Sequence, residues 1–193
     1  MPAGPVNANV RRLGEEVVLM LSPGTMIALL AGAIGVALVI IAVLALDRLW
    51  PPMLRREFTV QLPAERAWQY LARVEQWPSW AKHIKRVELE PAGELGLNST
   101  GRMVLTNGLK PAWTVTAFNP FRNWVWVGDF LWLDIYYDHR FEELNPTQTK
   151  ITFALEASGF GKSLFGRLFA KIYSKTLDRA IALLVQEMNV SRE

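Results

Sequence analysis

Residues 57–80, EFTVQLPAERAWQYLARVEQWPSW, carry the clearest structural pattern in the chain. Residues 56–62 alternate apolar and polar side chains, and this period of two predicts a strand with its apolar residues inward. Pro63 then opens a helix, at a position where its missing N–H is not needed. A second short helix, PSWAKHI, is predicted to begin at Pro78. The stretch therefore predicts a strand followed by two short helices.

Six further strand-like runs follow, separated by turn signals such as Asn107-Gly108, Gly128-Asp129 and Asn145-Pro146. The predicted strands are residues 86–90, 101–106, 112–118, 123–127, 133–144 and 150–157. A long amphipathic helix over residues 162–189 closes the chain. Its predicted buried side carries Leu168, Ile172, Ala180, Leu184 and Met188. This order predicts an α+β fold in which an antiparallel sheet wraps around the C-terminal helix.

Three motifs occur in order within the first stretch: F-x-V-x-x-P from Phe58, A-W-x-x-L from Ala67, and E-x-W-P-x-W from Glu75. Further matches are Gly96, Gly159, Gly161 and the ending AIALLVQEM. With these features, residues 57–193 resemble the START-like, helix-grip superfamily called SRPBCC, and within it the polyketide cyclase/dehydrase and lipid-transport group. The resemblance implies a cavity between the sheet and the long helix. The N-terminal motifs are moderately specific, and the remaining likeness is mostly topology.

The composition limits the functional classes. The chain of 193 residues has a formal net charge of +3, which is too small to indicate a nucleic-acid partner, so none is expected. It has no cysteine, which excludes disulfides, cysteine-ligated metals and thiol catalysis. Its hydrophobic content of 51% is typical of a membrane segment joined to a soluble domain.

A transmembrane helix is predicted at residues 25–46, TMIALLAGAIGVALVIIAVLAL, which carry no charge. About 20 apolar residues suffice to cross the hydrocarbon core of a bilayer. A cleaved signal peptide would have a shorter apolar run, and a core helix is disfavoured because the signals for a complete domain all come later. Trp50 suits the membrane interface, and Pro51-Pro52 end the helix. We expect a single-pass protein of the cell (inner) membrane that contacts membrane lipids.

Basic residues beside the span set its expected orientation. Arg11 and Arg12 precede it, whereas Arg48, Arg55 and Arg56 follow it, so the positive-inside rule favours a cytoplasmic C-terminal domain by one residue. Residues 9–21 have one apolar face and predict either a short helix on the membrane surface or a disordered tail. The expected organisation is an N-terminal segment (1–24), a transmembrane helix (25–46), a linker (47–56) and a START-like domain (57–193).

Aromatic residues dominate the predicted sheet and suggest a pocket for an apolar small molecule. The family resemblance implies that the E-x-W-P-x-W stretch covers one end of the cavity. Trp77 and Trp80 therefore either plug that end of the core or line the mouth of the cavity. The predicted ligand-binding residues are Trp77, Trp80, Trp113, Trp124, Trp126, Tyr137 and Phe141. A filled aromatic core is the alternative interpretation of the same residues.

Few residues suggest catalysis. His139 and Tyr137 share one face of a predicted strand, where either is a candidate general acid or base or an ordinary hydrogen-bonded strand residue. His83 lies in a basic cluster and is predicted to be a solvated surface residue. The sequence has no set of residues at metal-ligand spacing, no nucleophile motif and no phosphate-binding glycine loop. We expect neither a metal nor a cofactor, and the sequence favours a non-catalytic protein.

Basic residues recur along the predicted C-terminal helix. They are Lys162, Arg167, Lys171, Lys175 and Arg179. A solvated helix face is one interpretation, and contact with anionic lipid headgroups or an acidic partner is the other.

Three functions remain open. The first is a membrane-anchored, non-catalytic domain that binds a lipid, quinone, isoprenoid or pigment. The second is an accessory subunit of a larger membrane complex, which contacts other integral-membrane subunits through residues 1–46. Small residues such as Ala28 and Gly32 at i, i+4 would allow another helix to approach the span. The third is a cyclase or dehydratase, for which the fold alone gives little support.

Overall fold

The computed structural model describes residues 22–49 and 53–190. The chain divides into two compact units, Met1–Ala45 and Leu46–Glu193. Helix α1 spans Pro23–Leu49, and its first turn is capped by Ser22, whose Oγ accepts a hydrogen bond of 3.2 Å from the Thr25 amide. The predicted helix at residues 9–21 lies outside the described residues, as do Trp50 and Pro51-Pro52.

Helix α1 is apolar around its whole circumference, and most of its large side chains between Met26 and Leu49 are exposed. Within the described residues it is the one helix whose length and composition suffice to cross a membrane. Its charged residues, Asp47 and Arg48, lie at its C-terminal end. These features meet the length and composition requirements of a membrane span.

The second unit contains seven strands and two further α-helices. The elements are β1 (Met53–Val60), α2 (Ala64–Ala72), a 3₁₀ segment (Val74–Ser79), β2 (Ile84–Glu90), β3 (Thr100–Leu105), β4 (Ala112–Asn119), β5 (Asn123–Phe130), β6 (Leu133–Asn145), β7 (Gln148–Ser158) and α3 (Lys162–Val190).

The seven strands form one antiparallel sheet in the order β1-β7-β6-β5-β4-β3-β2. Strands β2 to β7 follow one another in this sheet as hairpins and short connections, and β1 closes the far edge against β7. At the β6–β7 turn Asn145 Oδ1 accepts a 3.0 Å bond from the Thr147 amide, which is an Asx turn. The predicted α+β architecture, an antiparallel sheet with a long C-terminal helix, is confirmed.

Two local predictions were wrong. The second short helix does not begin at Pro78: this proline lies inside the 3₁₀ segment Val74–Ser79, and β2 begins at Ile84. Gly128-Asp129 is not a turn, because β5 continues through both residues to Phe130. Gly128 is needed there for a close backbone approach, since a Cβ at this position would lie 3.1 Å from the Ala112 carbonyl oxygen.

Helix α3 buries Leu177, Ala180, Leu184 and Met188 against the sheet. Leu168 and Ile172 were predicted on the same buried side, and this was wrong: their side chains are 49% and 64% exposed. At 3.6 residues per turn, Leu168 lies almost opposite Leu184 on the helix. The first half of α3 therefore directs part of its apolar surface outward.

Hydrogen bonds connect the C-terminal half of α3 to the rest of the second unit. Glu187 Oε2 accepts bonds from the Tyr70 hydroxyl at 2.6 Å and from the Ser79 hydroxyl at 2.8 Å. Asn189 Oδ1 accepts a 3.0 Å bond from the Gln61 amide. These bonds join α2, the 3₁₀ segment and the end of β1 to one helix, so they fix the frame in which the cavity lies.

Candidate functional site

A cavity of about 620 Å³ lies between the inner face of the sheet and α3. The 3₁₀ segment and the β3–β4 turn border it on two further sides. Its wall is mainly aliphatic and aromatic, with contributions that include Trp77, Ile84, Met103, Phe153, Leu155 and Leu177. A concave, mostly apolar cavity of this size is typical of a small-molecule binding site.

Cross-strand aromatic pairs build one wall of the cavity. Trp126 on β5 pairs with Tyr137 on β6, and their rings stack with centroids 3.8 Å apart and planes at 5°. Two residues along the same strands, Trp124 stacks on His139 at 4.8 Å and 14°. Strand alternation places both pairs on the inner face of the sheet, so the wall is flat and well packed.

The predicted ligand-binding residues separate into two groups in the structure. Trp77, Trp80, Trp126 and Tyr137 line the cavity, as does His139. Trp113, Trp124 and Phe141 are buried in the core and are not part of the cavity wall.

Trp124 and Phe141 of this core group are covered by α2. Trp68 on this helix packs against Trp124 and Phe141, with ring centroids 4.8 Å and 5.3 Å away. It also contacts Phe118 at 5.4 Å. The helix therefore fills the space that these aromatics would otherwise share with the cavity.

Trp77 combines a structural role with a place on the cavity wall. Its indole N–H donates a 2.8 Å bond to the Leu71 carbonyl oxygen, which ties the 3₁₀ segment to α2. Its ring lies 5.5 Å from Trp80 and 5.8 Å from His139. Trp77 and Trp80 are therefore buried in the core and also border the cavity, so the two predicted roles are compatible.

His139 is a buried polar group on the wall. Burial lowers its pKa from 6.5 to about 3, and the opposing effect of the Tyr137 backbone does not offset this. Its Nδ1 has no hydrogen-bond partner within the described part of the chain. The imidazole is consequently neutral at physiological pH.

Two tyrosines bring hydroxyl groups to the cavity, Tyr137 from β6 and Tyr173 from α3, with ring centroids 6.4 Å apart. Burial raises the pKa of Tyr173 to about 12. Burial and the neighbouring Tyr173 raise the pKa of Tyr137 well above its usual value. Neither hydroxyl bonds to another described residue, so both remain neutral groups able to donate to a ligand.

The sequence interpretation did not include Tyr173. Helical spacing contained the signal, because Tyr173, Leu177, Ala180 and Leu184 follow one another at intervals of three or four residues. His83 was predicted to be solvated, but the structure places it half-buried on the cavity wall, with its ring 5.8 Å from Tyr173. Burial lowers the pKa of His83 as well.

The cavity reaches the surface beside the β3–β4 turn and the middle of α3. Leu109, Lys110 and Ile172 all line it and are exposed. Of the predicted basic contacts, Arg167, Lys171, Lys175 and Arg179 are exposed and Lys162 is half-buried. Among the described residues no three His, Asp or Glu side chains come together in a group that would hold a metal ion.

Comparison with known proteins supports the fold described above. The sequence profile of the family described as polyketide cyclase/dehydrase and lipid transport matches residues 53–188. A comparison with curated proteins found no match.

Among solved structures, the chain is similar to the Zhui aromatase/cyclase of Streptomyces sp. R1128, with 16% identity, a TM-score of 0.55 and coverage of 72% of this chain and 94% of that one. It is also similar to a START superfamily protein of Mycobacterium smegmatis (16% identity, TM-score 0.52, 70% and 97% coverage). A hypothetical protein of Helicobacter pylori gives a TM-score of 0.59 at 15% identity, with 70% and 87% coverage. At these identities the likeness concerns the fold.

Proposed function

Because the chain belongs to the polyketide cyclase/dehydrase and lipid-transport family, we propose that it is a membrane-anchored, non-catalytic domain that binds an apolar small molecule. The observation that carries this proposal is the cavity of about 620 Å³ between the sheet and α3. A site of this volume can enclose a ligand the size of a drug molecule or a lipid fragment. Lipids, quinones, isoprenoids and pigments are the ligand classes that fit such a wall.

The polar groups of the wall narrow the chemistry of the ligand. His139 is neutral, and Tyr137 and Tyr173 keep their protons, so these three groups offer no charge to balance a charged ligand. The charged residues of the wall are Lys110 and Asp129, which are exposed, and Asp138, which pairs with Arg140 at 2.6 Å. Burying an unpaired charge there would be costly. A carbonyl or hydroxyl oxygen would instead accept a bond from either phenol. The proposed ligand is therefore uncharged where it contacts these residues and carries a neutral acceptor.

The same groups favour binding over acid–base chemistry. A catalytic acid or base works best with a pKa near the operating pH. Burial lowers the pKa of His139 to about 3 and raises the pKa of Tyr137. Both pKa values therefore lie far from neutral pH. The arrangement therefore favours a non-catalytic role over that of a cyclase or dehydratase.

The proposal also assigns a role to α1. Its length and apolar composition suit a single membrane span, and the count of flanking arginines favours a cytoplasmic second unit. Tethering would hold the cavity beside the lipid phase in which an apolar ligand concentrates.

A test of the proposal is native mass spectrometry of the full-length chain, released from its own membranes in a mild detergent. We expect one additional apolar mass per chain. The matched variant is Thr176→Trp, which adds bulk to the cavity wall, with Ala182→Trp on the exposed face of the same helix as its control. Loss of the mass in Thr176→Trp alone would support binding in this cavity. No mass in the wild-type protein, or equal occupancy in all three, would contradict it.

An accessory subunit of a membrane complex is the second candidate. It is favoured by the small residues of α1, Ala28 with Gly32 and Ala31 with Gly35, whose i, i+4 spacing would let another helix approach closely. The same mass spectra distinguish the two functions. An assembly of fixed stoichiometry without an apolar mass on this chain would favour the subunit.

A further inference from the structure

Helix α3 exposes a row of large apolar side chains on the side opposite its buried face. Leu164, Leu168 and Ile172, here called the α3 stripe, are 64%, 49% and 64% exposed. They recur every four residues and so form one continuous band along the helix. Such a contiguous apolar surface is uncommon on a domain that contacts only water.

The β5–β6 turn adds two exposed apolar residues beside the start of this band. Phe130 pairs with Leu133, so the turn consists of Leu131 and Trp132, which are 63% and 56% exposed. Leu131 has a φ of 59°, a conformation that two-residue turns usually assign to Gly or Asn. A bulky apolar residue kept in this strained position indicates a functional constraint on the turn.

Contacts with the start of α3 hold the turn in place. The Trp132 indole N–H donates a 2.9 Å bond to the Phe160 carbonyl oxygen, and its ring packs on Phe165 at 4.7 Å. Phe160 itself is 49% exposed. The turn, Phe160 and the α3 stripe therefore lie along the same end of the second unit.

Basic residues accompany the apolar band. Helical spacing places Lys171 and Lys175 on the same side of α3 as Leu164 and Leu168. The helix contains no acidic residue before Asp178. Apolar and cationic side chains on one helix face are the combination that binds the interface of an anionic bilayer.

The position of Asp47 relates this surface to the end of the apolar segment. Asp47 is the first charged residue after residues 25–46, and its carboxylate accepts 2.7 Å bonds from the amides of Gly161 and Ser163. Gly161 and Ser163 directly flank the start of α3, next to Phe160 and Leu164. Asp47, the first charged residue after the predicted span, therefore lies at the beginning of the α3 stripe.

We propose that the α3 stripe and the turn Leu131-Trp132 dock on the surface of an anionic lipid bilayer. This inference rests on the proposed membrane span and cavity. Ile172 belongs both to the stripe and to the cavity wall. Docking therefore places the mouth of the cavity against lipid, and the apolar ligand exchanges directly with the bilayer without crossing water.

The absence of cysteine allows a direct test. Leu168→Cys and Ala182→Cys are each labelled with an environment-sensitive fluorophore in the full-length chain, reconstituted in vesicles that contain phosphatidylglycerol and doxyl-labelled lipid. Ala182 is exposed on the same helical face about 21 Å beyond Leu168, past Asp178, and is the control. We expect blue-shifted, strongly quenched emission at position 168 and neither change at position 182. Equal quenching at the two positions would overturn the proposal.

Two further measurements separate the bilayer from other occupants. Adding Lys171→Glu and Lys175→Glu to Leu168→Cys should lower the docked fraction by at least about five-fold, because each basic residue contributes to attraction by anionic lipid. Emission at position 168 that shifts without quenching, or that reverts when the protein is diluted in lipid, would assign the surface to a protein partner or a second copy. If docking fails while the apolar mass is still present, the proposed function stands and this inference alone is lost.

Discussion

The indole ring of Trp126 lies flat against the phenol ring of Tyr137, with 3.8 Å between centroids and 5° between planes. The two residues are direct cross-strand partners on β5 and β6. Stacking fixes the Tyr137 ring, whereas its hydroxyl makes no bond to the rest of the described chain. The pair thus presents both a rigid apolar face and an available donor to the cavity.

Removing the available hydroxyls should weaken ligand binding without weakening the fold. We expect Tyr137→Phe and Tyr173→Phe each to lower ligand affinity by about 1 kcal/mol, the usual net contribution of one hydrogen bond. The urea midpoint should remain near that of the wild-type protein, because neither hydroxyl has a partner in the described structure. The measurement is the fraction of chains that retain the apolar mass after purification in the same detergent.

Tyr70→Phe is the matched control for these two variants. The Tyr70 hydroxyl donates a 2.6 Å bond to Glu187 Oε2, and Tyr70 is not part of the cavity wall. This variant should therefore lower stability and leave ligand occupancy unchanged. If Tyr137→Phe and Tyr173→Phe behave like Tyr70→Phe, their hydroxyls have structural partners and the proposed polar contact is wrong.

Gly101 allows the close approach of β2, β3 and β4. A Cβ at this position would overlap the Trp113 ring and lie 2.6 Å from the Glu88 carbonyl oxygen. We expect Gly101→Ala to destabilise the second unit by about 1–3 kcal/mol through overpacking, measured as a lower urea midpoint. Gly96→Ala is the control, since its nearest contact would be Ser99 Oγ at 3.9 Å. Equal midpoints for the two variants would show that the strands move apart without cost.

Asp47 should stabilise the start of α3. Its two carboxylate oxygens accept the amides of Gly161 and Ser163, which have no partners within the helix itself. Loss of a side-chain cap costs about 1 kcal/mol, so Asp47→Ala should lower the urea midpoint correspondingly. The exposed Asp134 provides the control in Asp134→Ala, for which little change is expected. A wild-type midpoint in Asp47→Ala would mean that other groups satisfy these amides.

The sequence contained the succession of strands along the chain, because most strands alternate in hydrophobicity and most turns contain Asn, Pro or Gly. It also showed that Trp124 shares a strand face with Trp126, and Tyr137 with His139 and Phe141, but alternation alone did not determine which face points inward. It did not separate Trp124 and Phe141 from the cavity, because that separation depends on Trp68 packing over them from α2. Periodicity identifies the buried face of an element but not whether its neighbours fill the adjacent space.

Two features of the proposed membrane surface were absent from the sequence interpretation for a similar reason. Asp47 contacts Gly161 across more than a hundred residues, so no local pattern reports it. The turn Leu131-Trp132 lacks the usual turn residues, and Gly128-Asp129 nearby carried a stronger but misleading signal. Both are places where tertiary contacts override local propensity.

The folded protein should lose stability as the pH decreases, because of His139. Its pKa is about 3 in the folded protein and 6.5 in the unfolded chain. The unfolded chain therefore binds the extra proton between these values, and the folded state loses stability as pH falls from 6.5 toward 3. Between pH 7 and pH 5 this effect amounts to about 2 kcal/mol.

We expect the urea midpoint of His139→Phe to depend less on pH than that of the wild-type protein. A smaller slope of the same sign should remain from His83, whose pKa burial also lowers. Identical pH dependence in the two proteins would mean that His139 is protonated, or reached by solvent, in the folded state.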